Sequence, residues 1–276
     1  MDISIVIPCY NHGAYIREAL QSIKDCDPVP YEYEIIILDD GSTDKGTLQV
    51  LAELRQEGYH VHQQENKGLG AARNNAIRLA NGRYILPLDS DNKICKPYLT
   101  KAIEILENDP ATGIVYADAE YFGEKQGKWI VGAYNLQRLM LGNYIDACAV
   151  FRKEVWQKLG GYDEMIPVMG VEDWDFWLRA GFSGVGFAYL PVTGFCYRVL
   201  SGSMINSVTP EKEKLINAYF NTKHAVFLDR DFVNSTFVDS FKKNKKLFAK
   251  LFLAVFFPRK LAKMSEKGKI DNKHFL

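Results

Sequence analysis

The sequence predicts an α/β fold with a mainly parallel sheet, and two observations support this prediction. Short apolar runs rich in Ile, Val and Tyr have the length of strands: "ISIVIPCY", "YEIIILDD", "RYILPLD" and "GIVYAD". Between them lie amphipathic segments with glycines at their ends: "AYIREALQSIKDC", "GTLQVLAELRQEG" and "GAARNNAIRLANG". Strands that alternate with helices need crossover connections, which make the strands parallel and place helices on both faces of the sheet.

Length and composition permit a substantial enzyme. The chain has 276 residues, enough for one large domain or for a domain with a smaller appendage. Its 47% hydrophobic and 25% charged residues are ordinary for a folded protein and exclude a disordered or fibrous one.

Cysteine usage and the N-terminus predict a cytoplasmic protein. The five cysteines are odd in number and widely scattered, without C-x-x-C pairing or a neighbouring histidine at metal-ligand spacing. This pattern is typical of a reducing compartment. The N-terminus enters a strand-like run without the basic flank and longer apolar core of a secretory signal. The five histidines are dispersed, and His60 and His62 lie on a predicted edge strand, so zinc chemistry is not expected.

The net charge of zero conceals a basic C-terminal segment. After Ser240 the chain carries 11 Lys and Arg against 2 acidic residues. The apolar stretch within "LFAKLFLAVFFPRKLAK" is far shorter than the roughly 20 residues that cross a bilayer. Two alternatives stay open at this stage: a helix that lies on an anionic membrane surface at the cytoplasmic face, or one that packs on protein.

Polar residues follow three of the predicted strands. They are "CYN" after the first strand, "DDGSTD" after the second and "DSDN" after the fourth. Since parallel sheets bind ligands at the carboxyl ends of their strands, we expect a binding site here. Asp44, in the second of these loops, is predicted to cap the following helix.

The pair Asp89 and Asp91 points to a divalent cation. Two carboxylates two residues apart leave a strand on the same side, and their repulsion costs free energy unless a positive charge is near. Aspartate oxygens suit Mg²⁺ or Mn²⁺, whose remaining ligands are commonly water and phosphate oxygens. The nearby "GLGAAR" is not a dinucleotide fingerprint, because Arg73 stands at the third glycine and the turn is not the first of the sheet.

Several motifs together resemble the family 2 glycosyltransferases, which are inverting, nucleotide-diphosphate-sugar-dependent enzymes with a GT-A fold. The resemblance rests on "SIVIPCYNHGAYIREALQSI", "EIIILDDGSTD", "NKGLGAARNNA", "ANGRYILPLDSDN", "VFRKEVWQKLGGYDE" and "VEDWDFWLRA". These motifs occur in the family's order from Ser4 to about Arg198. The resemblance implies a GT-A domain over residues 1–205, with a nucleotide-binding half (1–95) and an acceptor or catalytic half (96–205), followed by a basic helical extension (206–276).

The resemblance also implies a set of site residues. The expected metal ligand, for Mn²⁺ or Mg²⁺, is Asp91, and Asp89 is expected to orient the donor. The residues expected to bind the nucleotide sugar are Pro8, Tyr10, Asn11, Asp40, Gly68, Arg73, Asp89 and Ser90. The loop with Asp163 and Glu164 resembles the one that shapes the sugar pocket.

The resemblance implies that Glu172 and Asp173 are catalytic. Both begin a predicted helix, where the helix dipole favours carboxylates. By itself this position would suggest a helix cap. In the family the second residue of "ED" is the general base, so the resemblance implies that Asp173 accepts the proton of an acceptor hydroxyl. Direct displacement of the diphosphate would then invert the anomeric configuration.

The implied partners are a nucleotide-diphosphate sugar, preferably a UDP-sugar, and a glycan or lipid-linked acceptor, with no nucleic acid. Alternatives are a nucleotidyltransferase, which would need a Gly-rich basic loop that "PCYNHGAY" lacks, and a non-catalytic nucleotide-sugar-binding protein. One departure from the family is Leu200, where a histidine is common. Ser201 or Ser203 could supply the missing contact. The aromatic residues around "GEKQGK" (Tyr121, Phe122, Trp129 and Tyr134) are expected to pack.

Overall fold

A computed structural model describes residues 1–26, 30–200 and 209–224, together with residue 249. In the described ranges the protein consists of nine strands and eight helices. The strands are β1 (Ile3–Cys9), β2 (Tyr33–Asp39), β3 (His60–Gln63), β4 (Tyr84–Pro87), β5 (Lys93–Ile94), β6 (Thr112–Gly123), β7 (Gly127–Trp129), β8 (Val150–Arg152) and β9 (Gly186–Val199). The helices are α1 (Gly13–Asp25), α2 (Lys45–Gln56), α3 (Leu69–Leu79), α4 (Tyr98–Asn108), α5 (Leu136–Leu141), α6 (Lys153–Leu159), α7 (Glu172–Phe182) and α8 (Pro210–Lys223).

One sheet has the strand order β3-β2-β1-β4-β8-β6-β9-β5, and β7 pairs with β6. Strands β3, β2, β1 and β4 are mutually parallel, as are β6 and β9. Strand β8 runs antiparallel to β4 and β6, and β5 runs antiparallel to β9. The predicted α/β class is confirmed, with its parallel pairing concentrated in the first half of the chain.

The apolar pattern explains which strands are central. Every residue of β1, "ISIVIPC", is buried, as is typical of a central parallel strand with both faces covered. Strand β3, "HVHQ", is largely exposed, so the edge position expected for His60 and His62 is correct. The central position of β1 aligns its carboxyl end with those of β2 and β4.

Helices α1 and α2 are joined closely next to the ends of β1 and β2. A Cβ atom at Gly13 would lie 2.5 Å from the Cα of Thr47, so only glycine allows this approach. The Gly13 amide donates to Thr47 Oγ1 at 2.9 Å. Asp44 accepts from the Thr47 amide at 2.7 Å, which confirms its predicted role as the cap of α2.

The aromatic residues around the β6–β7 hairpin pack as expected. The rings of Tyr121 and Trp129 stack with their centroids 5.8 Å apart. The ring of Tyr134 stacks on Phe187 at 4.1 Å. These contacts support the hairpin.

The structure divides into two compact units. One comprises residues 1–134 and 145–208, and the other comprises residues 135–144 with the chain from residue 209 onward. In the second unit, the described part of the predicted extension is α8, whose N-cap Thr209 accepts from the Lys212 amide.

None of the helices in the described ranges is long and apolar enough to cross a membrane. The basic segment after Ser240, and Ser201 and Ser203, lie outside the described residues, and the predicted boundary at residue 205 stays a prediction.

Candidate active site

Asn11 connects the loops that follow β1 and β2. Its Oδ1 accepts from the amides of Thr43 and Asp44 at 2.8 and 2.9 Å, and its own amide donates to Ser42 Oγ at 3.0 Å. Asn11 has φ of +55°, a left-handed conformation that asparagine tolerates better than most residues. These bonds hold the neighbouring Tyr10, which is 46% exposed, at the edge of the sheet.

Asp40 organises the loop that leads into α3. Its carboxylate is buried and accepts from Gln64 Nε2 at 2.7 Å and from the amides of Lys67 and Gly68 at 2.9 and 3.0 Å. Gly68 has φ of +86°, so this turn favours glycine. Both were predicted to bind the nucleotide. That role stays a prediction, and in the structure Asp40 and Gly68 together shape this loop.

Asp39, directly before Asp40, carries an oxygen that sequence reasoning did not single out. Its Oδ1 accepts from the Ser42 amide at 2.9 Å. Its Oδ2 is buried and has no hydrogen-bond partner among the described residues. A buried acceptor without a partner is costly, so Asp39 Oδ2 destabilises this strand end. The only sequence signal was its place in the "DD" at a strand end.

Arg73 on α3 pairs with Asp89. The guanidinium Nη2 lies 2.7 Å from Asp89 Oδ1, and the Arg73 side chain is only 3% exposed. Burial opposes the charged guanidinium, but the charges of Asp89, Tyr162, Glu172 and Asp173 together outweigh it, so the pKa of Arg73 is raised. The ring of Tyr162 lies 5.7 Å from the guanidinium carbon. Arg73 therefore fixes the position of one of the two predicted carboxylates.

Asp91 has a different environment from Asp89. Burial, and then repulsion by Asp89, raise the pKa of Asp91 to about 6. His12 Nδ1 lies 4.0 Å from Asp91 Oδ2, and the charge of His12 acts in the opposite direction on that pKa. Arg198 donates from Nε to the Asp91 carbonyl at 2.9 Å. The Arg73 guanidinium pairs with Asp89 and not with Asp91. The ionised form of Asp91 would therefore be stabilised by a bound cation.

The donor set fits a metal that keeps part of its shell for other ligands. Among the described residues no group of three or more His, Cys, Asp or Glu is arranged to hold an ion. One or two carboxylates with open positions suit Mg²⁺ or Mn²⁺, which retain water and bind phosphate oxygens. Ser90, between the two aspartates, is buried. The Asn92 amide donates to the Asp89 carbonyl at 3.0 Å, so the two aspartates lie in a turn that follows β4.

The start of α7 carries Glu172 and Asp173. Glu172 is 3% exposed and its Oε2 accepts from the Gly170 amide at 2.9 Å. Burial raises the pKa of Glu172, and the charge of Arg73 opposes that rise. Asp173 is half-buried and its Oδ1 accepts from the Trp174 amide at 2.8 Å. Asp173 therefore has the exposure that a proton acceptor for an incoming hydroxyl requires.

The body of α7 is anchored by a buried ion pair. Asp175 is fully buried, and its Oδ2 accepts from Arg179 Nε at 2.7 Å. Arg179 also donates to the carbonyls of Leu159 and Gly161 at 2.8 and 2.7 Å. The third acidic residue of "EDWD" is therefore structural, and it ties α7 to the loop after α6.

Asn74 on α3 holds the loop that contains Asp163 and Glu164. Its Oδ1 accepts from Trp156 Nε1 at 2.9 Å and from the Tyr162 amide at 2.8 Å, and its Nδ2 donates to Glu164 Oε1 at 2.7 Å. Asp163 accepts from the Met165 amide at 2.8 Å. Sequence reasoning missed Asn74, because nothing local marks its partners, which are more than 80 residues away.

A cavity of about 270 Å³ lies between this loop and the start of α3. It is lined by residues 66–71, by Asp163, Glu164, Ile166 and Met169, and by Glu172. A Cβ atom at Gly70 would lie 3.2 Å from the Asp163 carbonyl oxygen and 3.3 Å from Glu172 Cγ. Gly70 therefore keeps this wall of the cavity in place.

Asp146, which has no motif in the sequence, is the most perturbed carboxyl group near the site. Burial, and after it the charges of Asp89 and Asp173, raise the pKa of Asp146 to about 8. Its Oδ1 accepts from the Cys148 amide at 2.8 Å. Because the charges of Asp89 and Asp173 both act on Asp146, the loop after β4 and the start of α7 face a common region.

The sheet and its acidic loops define the class of protein as the GT-A glycosyltransferase fold. A family model described as glycosyl transferase family 2 matches residues 4–160, more than half of the chain. The chain belongs to this family, as the motifs predicted.

Two curated relatives extend the comparison. Chondroitin synthase of Escherichia coli is 31% identical over 232 residues, which cover 78% of this chain and 32% of that protein. Poly(ribitol-phosphate) beta-N-acetylglucosaminyltransferase TarS of Staphylococcus aureus is 36% identical over 110 residues, which cover 39% of this chain and 19% of that protein. The chain thus spans about a third and about a fifth of the length of these relatives.

Solved structures share the fold. The crystal structure of S. aureus TarS 1-349 in complex with UDP-GlcNAc matches with a TM-score of 0.63 and 18% identity, over 97% of this chain and 92% of that chain. The mannosyltransferase PcManGT of Pyrobaculum calidifontis, in complex with GDP-Man and Mn²⁺, matches with a TM-score of 0.57 and 17% identity, over 95% and 83%. At these identities the likeness establishes the fold.

Proposed function

We propose that this protein is an inverting glycosyltransferase that moves a sugar from a UDP-sugar to a hydroxyl of a glycan or lipid-linked acceptor in the synthesis of a cell-surface polysaccharide. The observation that carries the proposal is the position of Arg73. Its guanidinium pairs with Asp89 at 2.7 Å, while the charges of Glu172 and Asp173 also act on it. The carboxylate proposed to orient the donor (Asp89) and the two at the start of α7 (Glu172 and Asp173) therefore lie around the buried guanidinium of Arg73.

In the proposed reaction Asp173 accepts the proton of the acceptor hydroxyl as its oxygen attacks the anomeric carbon. The nucleotide diphosphate leaves from the opposite face, so the configuration inverts. Glu172, held by the Gly170 amide, positions the start of α7. Asp89, held by Arg73, orients the donor. A Mg²⁺ or Mn²⁺ ion bound by Asp91 would stabilise the negative charge of the leaving diphosphate.

The choice of donor and acceptor is supported by the relatives. One relative is named for the synthesis of chondroitin, and the other for the transfer of N-acetylglucosamine to poly(ribitol-phosphate). TarS 1-349 was crystallised with UDP-GlcNAc. We therefore propose a hexosyl or N-acetylhexosaminyl group as the transferred sugar.

The test is a panel of UDP-, GDP- and TDP-sugars with Mn²⁺ or Mg²⁺, scored for nucleotide diphosphate release and for sugar transfer. Asp173→Asn should keep donor affinity within about twofold and lose transfer by at least about a hundredfold, as expected for loss of a general base. Glu104→Gln, an exposed carboxylate on α4, is the matched control. Retained transfer by Asp173→Asn would reject the assigned base. Release of pyrophosphate from a nucleoside triphosphate and a sugar 1-phosphate, with no nucleoside diphosphate released from the nucleotide sugars, would indicate a nucleotidyltransferase.

We further propose that the basic segment after Ser240 brings the enzyme to an anionic membrane surface at the cytoplasmic face, where a lipid-linked acceptor is found. Its 11 basic residues and the Leu- and Phe-rich stretch between them support this arrangement. Flotation with vesicles of 30% anionic lipid should recover the full chain and lose a chain that ends at Ser240. Equal flotation of both chains would favour the alternative of a helix that packs on protein.

A further inference from the structure

Strands β5 and β9 bring two cysteines together beside the predicted metal ligand. Residues 93 and 94 pair antiparallel with Cys196 and Phe195, and the Cys95 amide donates to the Gly194 carbonyl at 2.8 Å. Cys95 is therefore opposite Gly194, and Cys196 is the next residue of β9 on the same face. The two Sγ atoms lie 3.2 Å apart, although 101 residues separate the cysteines in sequence.

Access and reactivity distinguish this pair from the other cysteines. Cys95 and Cys196 are partly exposed, whereas Cys9, Cys26 and Cys148 are buried. The hydrogen bond from Cys95 lowers the pKa of Cys196 to about 7, against the effect of burial. Burial raises the pKa of Cys9 to about 11. Since the thiolate is the nucleophile, Cys196 is the thiol that reacts first with an oxidant.

We propose that Cys95 and Cys196 are a redox-active dithiol that a peroxide oxidises to a reversible disulfide. In the first step the Cys196 sulfur attacks one oxygen of hydrogen peroxide, which forms a sulfenic acid and releases water. In the second step the Cys95 sulfur attacks the sulfenic sulfur, forms the S–S bond and expels hydroxide, which takes the Cys95 proton to give a second water. Two thiols lose two electrons, and the peroxide gains them.

The disulfide would act on the Asp91 loop through Arg198. A disulfide bond is about 2.05 Å long, so the sulfurs must approach each other by about 1 Å. Arg198, two residues after Cys196, donates from Nε to the Asp91 carbonyl and from its amide to Asn92 Oδ1, both at 2.9 Å. A shift of β9 against β5 therefore moves Asp91. This consequence rests on the proposed function, and we expect oxidation to weaken Mn²⁺-dependent UDP binding about five- to tenfold.

The experiment uses the full chain, reduced, freed of reductant and then treated with increasing hydrogen peroxide. Peptide mass spectrometry without reduction should find the Cys95 and Cys196 peptides linked with the loss of two hydrogens, and dithiothreitol should release them. Oxidation should also raise the thermal unfolding midpoint, because the bond closes a long loop. Cys95→Ser and Cys196→Ser should show neither change, and Cys148→Ser, at a buried cysteine, should keep the crosslink and the rise in midpoint.

Over-oxidation of Cys196 to the sulfinic acid in the wild-type chain, without a crosslink, would overturn the proposal, as would a crosslink between two chains only. A disulfide that leaves UDP·Mn²⁺ affinity unchanged in calorimetry would overturn the coupling to Asp91. If the reduced chain binds no nucleotide, the proposed function fails, while the mass measurement still decides whether the disulfide forms.

Discussion

The buried guanidinium of Arg73 pairs with the partly exposed carboxylate of Asp89 at an N–O distance of 2.7 Å, whereas the second aspartate of the motif, Asp91, has a pKa raised to about 6. The two carboxylates, separated by one residue, therefore have opposite effects on the free energy of unfolding. Asp89 neutralises a buried guanidinium. Asp91 in its ionised form is a source of repulsion until a cation binds.

The first prediction compares Asp89→Asn with Asp91→Asn in EDTA. Asp89→Asn leaves Arg73 without its counter-ion and should lower the free energy of unfolding by about 2 kcal/mol. Because the pKa of Asp91 is raised, the stability of the wild type falls as pH rises from about 4 to about 6. The free energy of unfolding of Asp91→Asn should therefore exceed that of the wild type by about 1 kcal/mol above pH 6, and should equal it near pH 4. Urea unfolding at pH 4 and pH 7.5 measures both. Equal losses in the two variants would contradict the division of roles.

A second prediction concerns the pH dependence of metal-supported nucleotide binding. Because a proton on Asp91 competes with the metal, the affinity for UDP in the presence of Mn²⁺ should fall about tenfold for each pH unit below 6. Calorimetry at pH 7.5, 6 and 5 measures this slope. Asp91→Asn provides the control and should bind weakly at every pH. A flat profile for the wild type would exclude Asp91 as the ligand.

A third prediction tests Asp146. Its pKa of about 8 lies above the ordinary range, so stability falls as pH rises from about 4 to about 8. Asp146→Asn keeps the acceptor for the Cys148 amide and removes the charge. It should raise the free energy of unfolding by about 1 kcal/mol at pH 8.5 and leave it unchanged at pH 4. An equal gain at both pH values would point to packing instead.

A fourth prediction compares two helical glycines. A Cβ atom at Gly70 presses on the Asp163 carbonyl and on Glu172, whereas at Gly46 it meets only Asp44 Oδ2, at 3.3 Å. Alanine improves helix propensity at either position by up to about 1 kcal/mol. Gly46→Ala should therefore stabilise the protein without affecting kcat/KM. Gly70→Ala should lower kcat/KM about tenfold. Unchanged kinetics would show that Asp163 and Glu172 can shift to admit the extra methyl group.

A fifth prediction separates two aspartates of the loop after β2. Asp40→Ala removes the acceptor for three donors and should cost about 2–3 kcal/mol of stability together with donor binding. Asp44→Ala removes only the cap of α2 and should cost about 1 kcal/mol, with donor affinity retained. Thermal unfolding and UDP calorimetry on the same preparations measure both effects. Full donor affinity in Asp40→Ala would contradict its role in shaping the loop.

Local patterns determined most of the fold and part of the site. The unbroken apolar run of β1, the alternation of strands and helices and the cap at Asp44 depend on neighbours in sequence, so they could be read from the chain. The order of the motifs was enough to predict the family, which the family model confirms over residues 4–160. The roles of Asp91 and Asp173 stay predictions that the experiments above address.

The tertiary structure alone decided which groups meet across long stretches of chain. Asn74 holds a loop about 90 residues away, Cys95 meets Cys196 across 101 residues, and Asp146 is placed in the field of Asp89 and Asp173. Cys95, Cys196 and Asp146 lie in no recognisable motif, and the motif that contains Asn74 does not mark its partners, because burial and charge depend on distance in space. The sequence determined the strands and their acidic ends, and the packing of the sheet and helices decided which carboxylate is paired with a guanidinium, which has a raised pKa and which two thiols meet.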